Sequence, residues 1–353
     1  MQRSFTIDVL KVFAAQLIVW HHLSAYGLIA DVLHLQWPSL IEHLYQEARL
    51  AVQVFLVIAG FLAARSLSQR PVRHIGSSLL KRYWRLAPPF VVALLWAMGT
   101  AALARPLVHA DWLPQAPHLL QFLAHALLLN ELLDVPALSS GVWYVAIDFQ
   151  LFALFTLLAY GVGRIRRWQR AQASTALSVC VLLMCSMSLF WFNRDEAWDD
   201  WAVYFFGAYG LGALAAWYKR SRRDAAFFFI ALLLAVVSLF IAFRTRLCLA
   251  MVTALVLALQ PQASSAWGPW HAAVHRLANS SYAQFLTHFG VIVLFNALWT
   301  IEGFKHPVLA LCFALLAWLC SIAIGLLFHE RVETSLQRWG QQPSRLIFWR
   351  VSN

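Results

Sequence analysis

Residues that can exchange a proton or hold an anion recur inside runs that are otherwise apolar. Near the N-terminus, Asp8-Val9-Leu10-Lys11 leads on to Trp20-His21-His22. On a helix, Lys11 and His22 differ by about 20° around the axis and stand roughly 16 Å apart along it. Asp8 precedes Lys11 by three residues and shares that stripe. One face then carries an acid–base pair near one end and an imidazole near the other, and charges that deep in an apolar run are functional candidates by their cost. The plainer account is an interfacial ion pair with Lys11 reaching back to water and a histidine at the outer boundary. On spacing alone both accounts stand.

Further polar groups interrupt later apolar runs. Asp148 and Gln150 lie in Trp143-Tyr144-Val145-Ala146-Ile147-Asp148-Phe149-Gln150, and His288 closes Ser280-Ser281-Tyr282-Ala283-Gln284-Phe285-Leu286-Thr287-His288. A packing role is the alternative for each; for His288 it weighs as much as function. Lys81-Arg82-Tyr83-Trp84-Arg85 precedes Pro88-Pro89. Arg82 and Arg85, three apart, would make a two-guanidinium clamp for phosphates, or they mark topology alone. None of the five cysteines forms a CxxC pair and no Cys/His spacing suits zinc, so buried thiols and no metal are expected.

The elements that must position these residues follow from composition. The 353 residues are 61% hydrophobic and only 12% charged, with a mean hydropathy of +0.65. A soluble chain carries roughly 25% charge, so a cytosolic enzyme, a disordered tail and a nucleic-acid module are excluded. The expectation is an all-α membrane protein. Apolar runs long enough to cross a bilayer, about 20 residues, fall near 7–29, 48–67, 87–104, 143–163, 174–192, 201–218, 225–243, 247–260, 279–299 and 307–328. That predicts a bundle of about ten transmembrane helices, the eighth the weakest. The run 118–133, with His125, Asn130 and Glu131, reads as one extra interfacial or re-entrant helix.

Basic residues orient the bundle. With the N-terminus inside, twenty of the twenty-seven Lys and Arg fall on the cytoplasmic side and six outside, with Lys11 in the membrane. This positive-inside bias places both termini in the cytoplasm. No cleavable signal peptide is expected, because the first run holds Lys11 and lacks a small-residue cleavage site. Trp37, Trp112, Trp143, Trp198, Trp201 and Trp299 suit the outer aromatic belt. No repeat or linker divides the chain, so residues 1–330 read as one transmembrane domain and 331–353 as a basic cytoplasmic tail.

In these residues the sequence resembles the acyltransferase 3 family of integral-membrane O-acyltransferases. Asp8, Lys11 and His22 match the family's Asp-x-x-Arg followed by His. Phe55-Leu56-Val57-Ile58-Ala59-Gly60-Phe61 matches its Phe-x-Val-x-Ser-Gly-Phe block. Arg82, Arg85, Pro88 and Pro89 match an Arg-x-x-Arg-x-x-Pro-Pro segment, and Trp143, Asp148 and Gln150 a Trp-Ser-Leu-Ser-Val-Glu-x-Gln block. Ser281, Tyr282, Leu286 and His288 match a Ser-Tyr-x-x-Tyr-Leu-x-His block, and Glu330 a Glu at the end of the last span. Lys11 replaces the motif Arg, Ala59 a Ser and Asp148 a Glu; Lys for Arg keeps the charge and loses the planar fork.

The resemblance implies a membrane enzyme that takes an acyl group from a donor such as acetyl-CoA on the inner side, with no bound cofactor. It passes the group to a hydroxyl of a surface glycan or its lipid-linked precursor. In that frame His22 is the expected general base, or less favourably a transient acyl carrier, and Asp148 is expected to orient it. Arg82, Arg85 and Lys11 would bind the donor, and Trp143 and Gln150 the acceptor. Asp8, Tyr282, His288 and Glu330 are second-rank matches. Membrane lipids are the other expected partners, nucleic acid is not one, and the oligomeric state is not indicated. A transporter or flippase with an intramembrane proton path is the runner-up, and a scaffold or glycan-binding protein comes third.

Overall fold

The computed structural model describes residues 4–69, 72, 74–165, 170–260 and 270–340. Arg3, Arg70, Arg73, Arg166, Arg167, Arg345 and Arg350, all counted in the charge bias, lie outside the described residues. The described chain is helical and has no strand. Its helices are α1 (Phe5–Ala25), α2 (Leu28–Gln36), α3 (Pro38–Glu47), α4 (Val52–Gln69), α5 (Ile75–Ala104), α6 (Leu119–Ala126), α7 (Trp143–Gly163), α8 (Arg170–Phe190), α9 (Ala202–Trp217), α10 (Arg222–Ile241), α11 (Thr245–Leu259), α12 (Trp270–Glu302), α13 (Pro307–Phe328) and α14 (Thr334–Gly340).

Each of the ten expected apolar runs holds a helix, but the helices differ in kind. Among the described residues, seven are long and apolar enough to cross a membrane, and the bent pair α1–α2 makes up to eight. α9 and α11, with 16 and 15 residues, are shorter. The second apolar helix begins earlier than its hydropathy suggests, running from Pro38 to Leu67. α5 starts at Ile75 and carries Pro88 and Pro89 within it. Of the expected tail, Thr334–Gly340 is helical and follows α13 through a π turn at His329–Glu333; 341–353 lie outside the described residues.

The expected first span stops short because its backbone breaks at Tyr26-Gly27. Gly27 has φ +89°, and the chain turns by 89° into α2. Buried Asn296 satisfies the groups the break releases. Its Oδ1 accepts from the Ile29 N–H (3.2 Å), and its Nδ2 donates to the Tyr26 and Ile292 carbonyls (3.4 and 3.0 Å). A Cβ on Gly27 would stand 2.2 Å from Asn296 Oδ1, so only glycine fits this positive φ and this approach.

The core forms where small residues let backbones meet, as between membrane helices generally. A Cβ on Gly60 of α4 would fall 1.9 Å from the Tyr209 carbonyl of α9, and one on Gly212 equally close to the Val57 carbonyl. Between α1, α12 and α13, Gln16 and Gln284 exchange amide hydrogen bonds (3.0 and 3.1 Å) and Trp318 donates to Gln16 (2.8 Å).

The run 118–133 forms no long helix. α6 has eight residues, and the chain after it is folded by buried His125. His125 Nδ1 donates to the Gln121 carbonyl (2.8 Å), and its Nε2 accepts from the Leu138 N–H (3.3 Å). Leu119 and Leu120 stay 72% and 81% exposed, a face that suits lipid contact. Tyr83 of α5 ties the segment down by donating to the Ala126 carbonyl (3.0 Å).

Candidate active site

Helix α1 presents His22 inward, 6% exposed, against His288 of α12, which is fully buried. His22 Nδ1 and His288 Nε2 are 2.8 Å apart. His288 Nδ1 faces the carbonyls of Phe285 (2.7 Å) and Gln284 (3.2 Å). Carbonyls only accept, so His288 carries its proton on Nδ1 and offers the Nε2 lone pair. His22 must then donate from Nδ1, which leaves its Nε2 lone pair unprotonated. Among the described residues Nε2 has no hydrogen-bond partner. A neutral imidazole in this tautomer is a base ready for a hydroxyl proton, and the imidazolium it becomes keeps an acceptor on Nδ1.

Aromatic and loop groups wall this pair. Tyr26 stacks on His22 with centroids 5.7 Å apart and planes 10° apart, and His21 lies at 4.8 Å. Ser140 donates to the Tyr26 hydroxyl (3.1 Å), tying the 138–142 loop to the end of α1. His21 itself is occupied, its Nδ1 lying 2.8 Å from the Tyr45 carbonyl. A Cβ on Gly141 would lie 3.8 Å from His22 Cε1.

His22 meets His288 and not Asp148, the residue expected to orient it. Asp148 Oδ2 instead accepts from Arg82 Nη2 at 2.5 Å, with the two side chains 6% and 20% exposed. The physical reason is local: α5 packs on α7, and a carboxylate sunk in apolar surroundings takes the nearest cation. Arg82 also lies over the Phe152 ring at 5.1 Å. Its Nε and the Tyr209 hydroxyl are buried and have no hydrogen-bond partner among the described residues.

The expected two-guanidinium clamp is therefore split, because Arg82 is committed to Asp148 while Arg85, one turn on, is exposed. Lys11 is half-buried three turns before His22. Asp8 pairs with His275 (2.9 Å), where the plainer sequence account had it pair with Lys11, and Asn279 Nδ2 lies 3.2 Å from His275 Nε2. Tyr282 donates to the Leu86 carbonyl (3.0 Å), beside the two prolines of α5. Glu330 pairs with Arg276 (2.7 Å) in an open ion pair at the α13 end.

On the acceptor candidates the structure is specific. Gln150 Nε2 donates to the Asp200 carbonyl (3.3 Å) and its Oε1 accepts from the Ala202 N–H (3.0 Å), so both ends of its amide hold the start of α9. Trp143 stacks on Phe205 (5.4 Å, 26°). Tyr26, Ser140 and Asn296 carried no sequence signal, and the structure brings His288, a second-rank match, against His22. A lone mid-span histidine needs a partner, which was the signal for His288. Nothing in sequence spacing joins residues 22 and 288. Among the described residues no group of three or more His, Cys, Asp or Glu could hold a metal ion.

One curated protein that the chain is similar to is the regulator of hypoxia-inducible factor 1 of Caenorhabditis elegans, 28% identical over 170 residues. That match takes in 43% of this chain and 34% of the relative, so the chain spans about a third of that protein's length. No solved structure matches the chain. The acyltransferase-domain model, by contrast, matches residues 5–329, nearly the whole chain and every residue of the histidine pair and the Arg82–Asp148 pair, and the protein belongs to the acyltransferase 3 family.

Proposed function

We propose that this membrane acyltransferase moves an acyl group, acetyl above all, from acyl-CoA to a hydroxyl of a carbohydrate. The acceptor in this reading is a cell-surface or exopolysaccharide unit or its lipid-linked precursor. The observation that carries the proposal is the buried His22–His288 pair, whose hydrogen bonds leave a lone pair on His22 Nε2. The acceptor oxygen attacks the thioester carbonyl as its proton passes to His22 Nε2. The C–S bond then breaks, and the departing thiolate takes that proton, giving an ester and a free thiol. No bound cofactor is needed.

Exposed Arg85 and half-buried Lys11 meet the anionic donor, and Trp143 lines the acceptor side. The bundle lies in the cytoplasmic (inner) membrane and crosses it ten times with both termini inside, a topology supported by the excess of basic residues in the inner segments. The donor enters from that side and the acceptor waits outside.

The test is a vesicle assay with labelled acetyl-CoA and purified surface glycan. Label should pass to the glycan, and His22→Ala should cut turnover by about 10²–10⁴-fold while the protein still inserts. Movement of unmodified glycan without label transfer would replace this reading with a transporter.

A further inference from the structure

Among the described residues, five consecutive backbone amides, Ser139 to Trp143, make no well-formed hydrogen bond, and Ser140–Val142 lie in a turn closed on the Ser139 carbonyl. They precede and open α7, a 21-residue helix with no side-chain cap. The first amides paired in this stretch are Tyr144 to the Gly141 carbonyl and Val145 to the Val142 carbonyl, each at 3.1 Å. Gly141 has φ +79° and Val142 sits at φ −59°, ψ −29°. A positive φ followed by a right-handed residue turns successive N–H groups toward one point, the concavity that holds anions in proteins. The helix adds the positive end of its dipole there.

Two observations beyond the helix end mark this place for a ligand. His22 is 6% exposed, its Nε2 has no partner among the described residues, and its Cε1 edge lies 3.8 Å from a Cβ built on Gly141. A narrow space of about 10 Å³, room for one water-sized group, adjoins the loop, lined by Ser139, Ser140 and Val142 with Phe90 and Phe285. Gly141 keeps the approach narrow, since its Cβ would meet the Phe285 ring at 3.2 Å.

We propose that the amides of Gly141, Val142 and Trp143 bind the carbonyl oxygen of the acyl group and stabilise the negative charge it acquires during transfer. The assignment rests on the reading of the chain as a His22-based acyltransferase. When the hydroxyl oxygen adds to the carbonyl carbon, the C=O electron pair moves onto oxygen and the proton passes to His22 Nε2. When the carbonyl re-forms, the C–S bond breaks and the thiolate recovers the proton. Amides already fixed by the turn meet the oxyanion without reorganising.

Val142→Pro removes one N–H at a residue whose φ already suits proline, in the first turn where proline is tolerated. The comparison is with Val142→Ala, which keeps the N–H and loses the side chain. In the acetyl-CoA vesicle assay the proline variant should turn over about 10²–10³-fold more slowly than the alanine variant, with the donor KM within threefold. Rates within threefold of each other would overturn the assignment. As a second variant, the α-hydroxy analogue of valine is placed at 142 by nonsense suppression, which swaps N–H for oxygen and leaves the side chain alone. It should run at least tenfold slower than valine inserted the same way, and an equal rate would also overturn the assignment. Activity that survives His22→Ala would instead defeat the acyltransferase mechanism on which the assignment rests. A dead His22→Ala enzyme with undiminished Val142 variants would defeat this assignment alone.

Discussion

At the scale of single residues, the decisive feature is which nitrogen of which histidine holds a proton. His288 has no opening of its own; it is fully buried and its Nδ1 is committed to backbone carbonyls. In the proposed mechanism it is a positioning residue, which fixes His22 in the tautomer with a free Nε2 and accepts from Nδ1 as His22 becomes charged. Such a contribution grows in the transition state, so removing it should lower kcat and leave binding alone. His288→Phe fills the space and removes the acceptor. We expect turnover to fall about 10²-fold, with both KM values within threefold. Initial rates in vesicles check this, and a loss confined to KM would assign His288 to substrate binding instead.

At the scale of elements, the Arg82–Asp148 pair joins α5 to α7. Breaking a buried pair from one side strands the other charge, which costs about 3–5 kcal/mol, whereas replacing both partners by apolar groups is often close to neutral. Arg82→Leu and Asp148→Leu should therefore each lower the unfolding midpoint in detergent more than the double variant does. Additive losses would mean that the charges are not coupled. Arg85→Ala lacks this effect on stability and should raise the donor KM by about tenfold or more, the worth of a charge-assisted hydrogen bond. Hydropathy located these helices well, because the cost of unpaired backbone in lipid leaves little choice of structure. It misread their ends. The break at Tyr26-Gly27 depends on Asn296, 269 residues further along the chain, and a window of twenty residues does not contain that partner. The same distance hid the match of His22 with His288, while the tempting match of His22 with Asp148 lost to a guanidinium closer to hand.

At the scale of the whole molecule, polar groups in the segments outside the spans make folding depend on pH. Asn130 donates to Glu131 (2.5 Å) in the folded stretch after α6. Burial first, and then the neighbouring Asp200 carboxylate, push the Glu131 carboxyl up from its ordinary 4.5 to about 7, and burial also raises Asp199. A carboxyl raised in the folded state binds its proton more tightly there than in the unfolded chain. Its contribution to stability is complete below about pH 4.5 and is lost as pH rises through about 7. The slope is at most about 1.4 kcal/mol per pH unit, and less for a group partly open to water. The unfolding midpoint in detergent should thus be higher at pH 5 than at pH 8, and Glu131→Gln, neutral at both, should narrow that gap. Asp199 keeps part of the dependence, so the gap should shrink without vanishing. An identical gap in the variant and the parent would show that Glu131 is ionised in the folded protein throughout this range, with the loop held by its backbone and His125 alone.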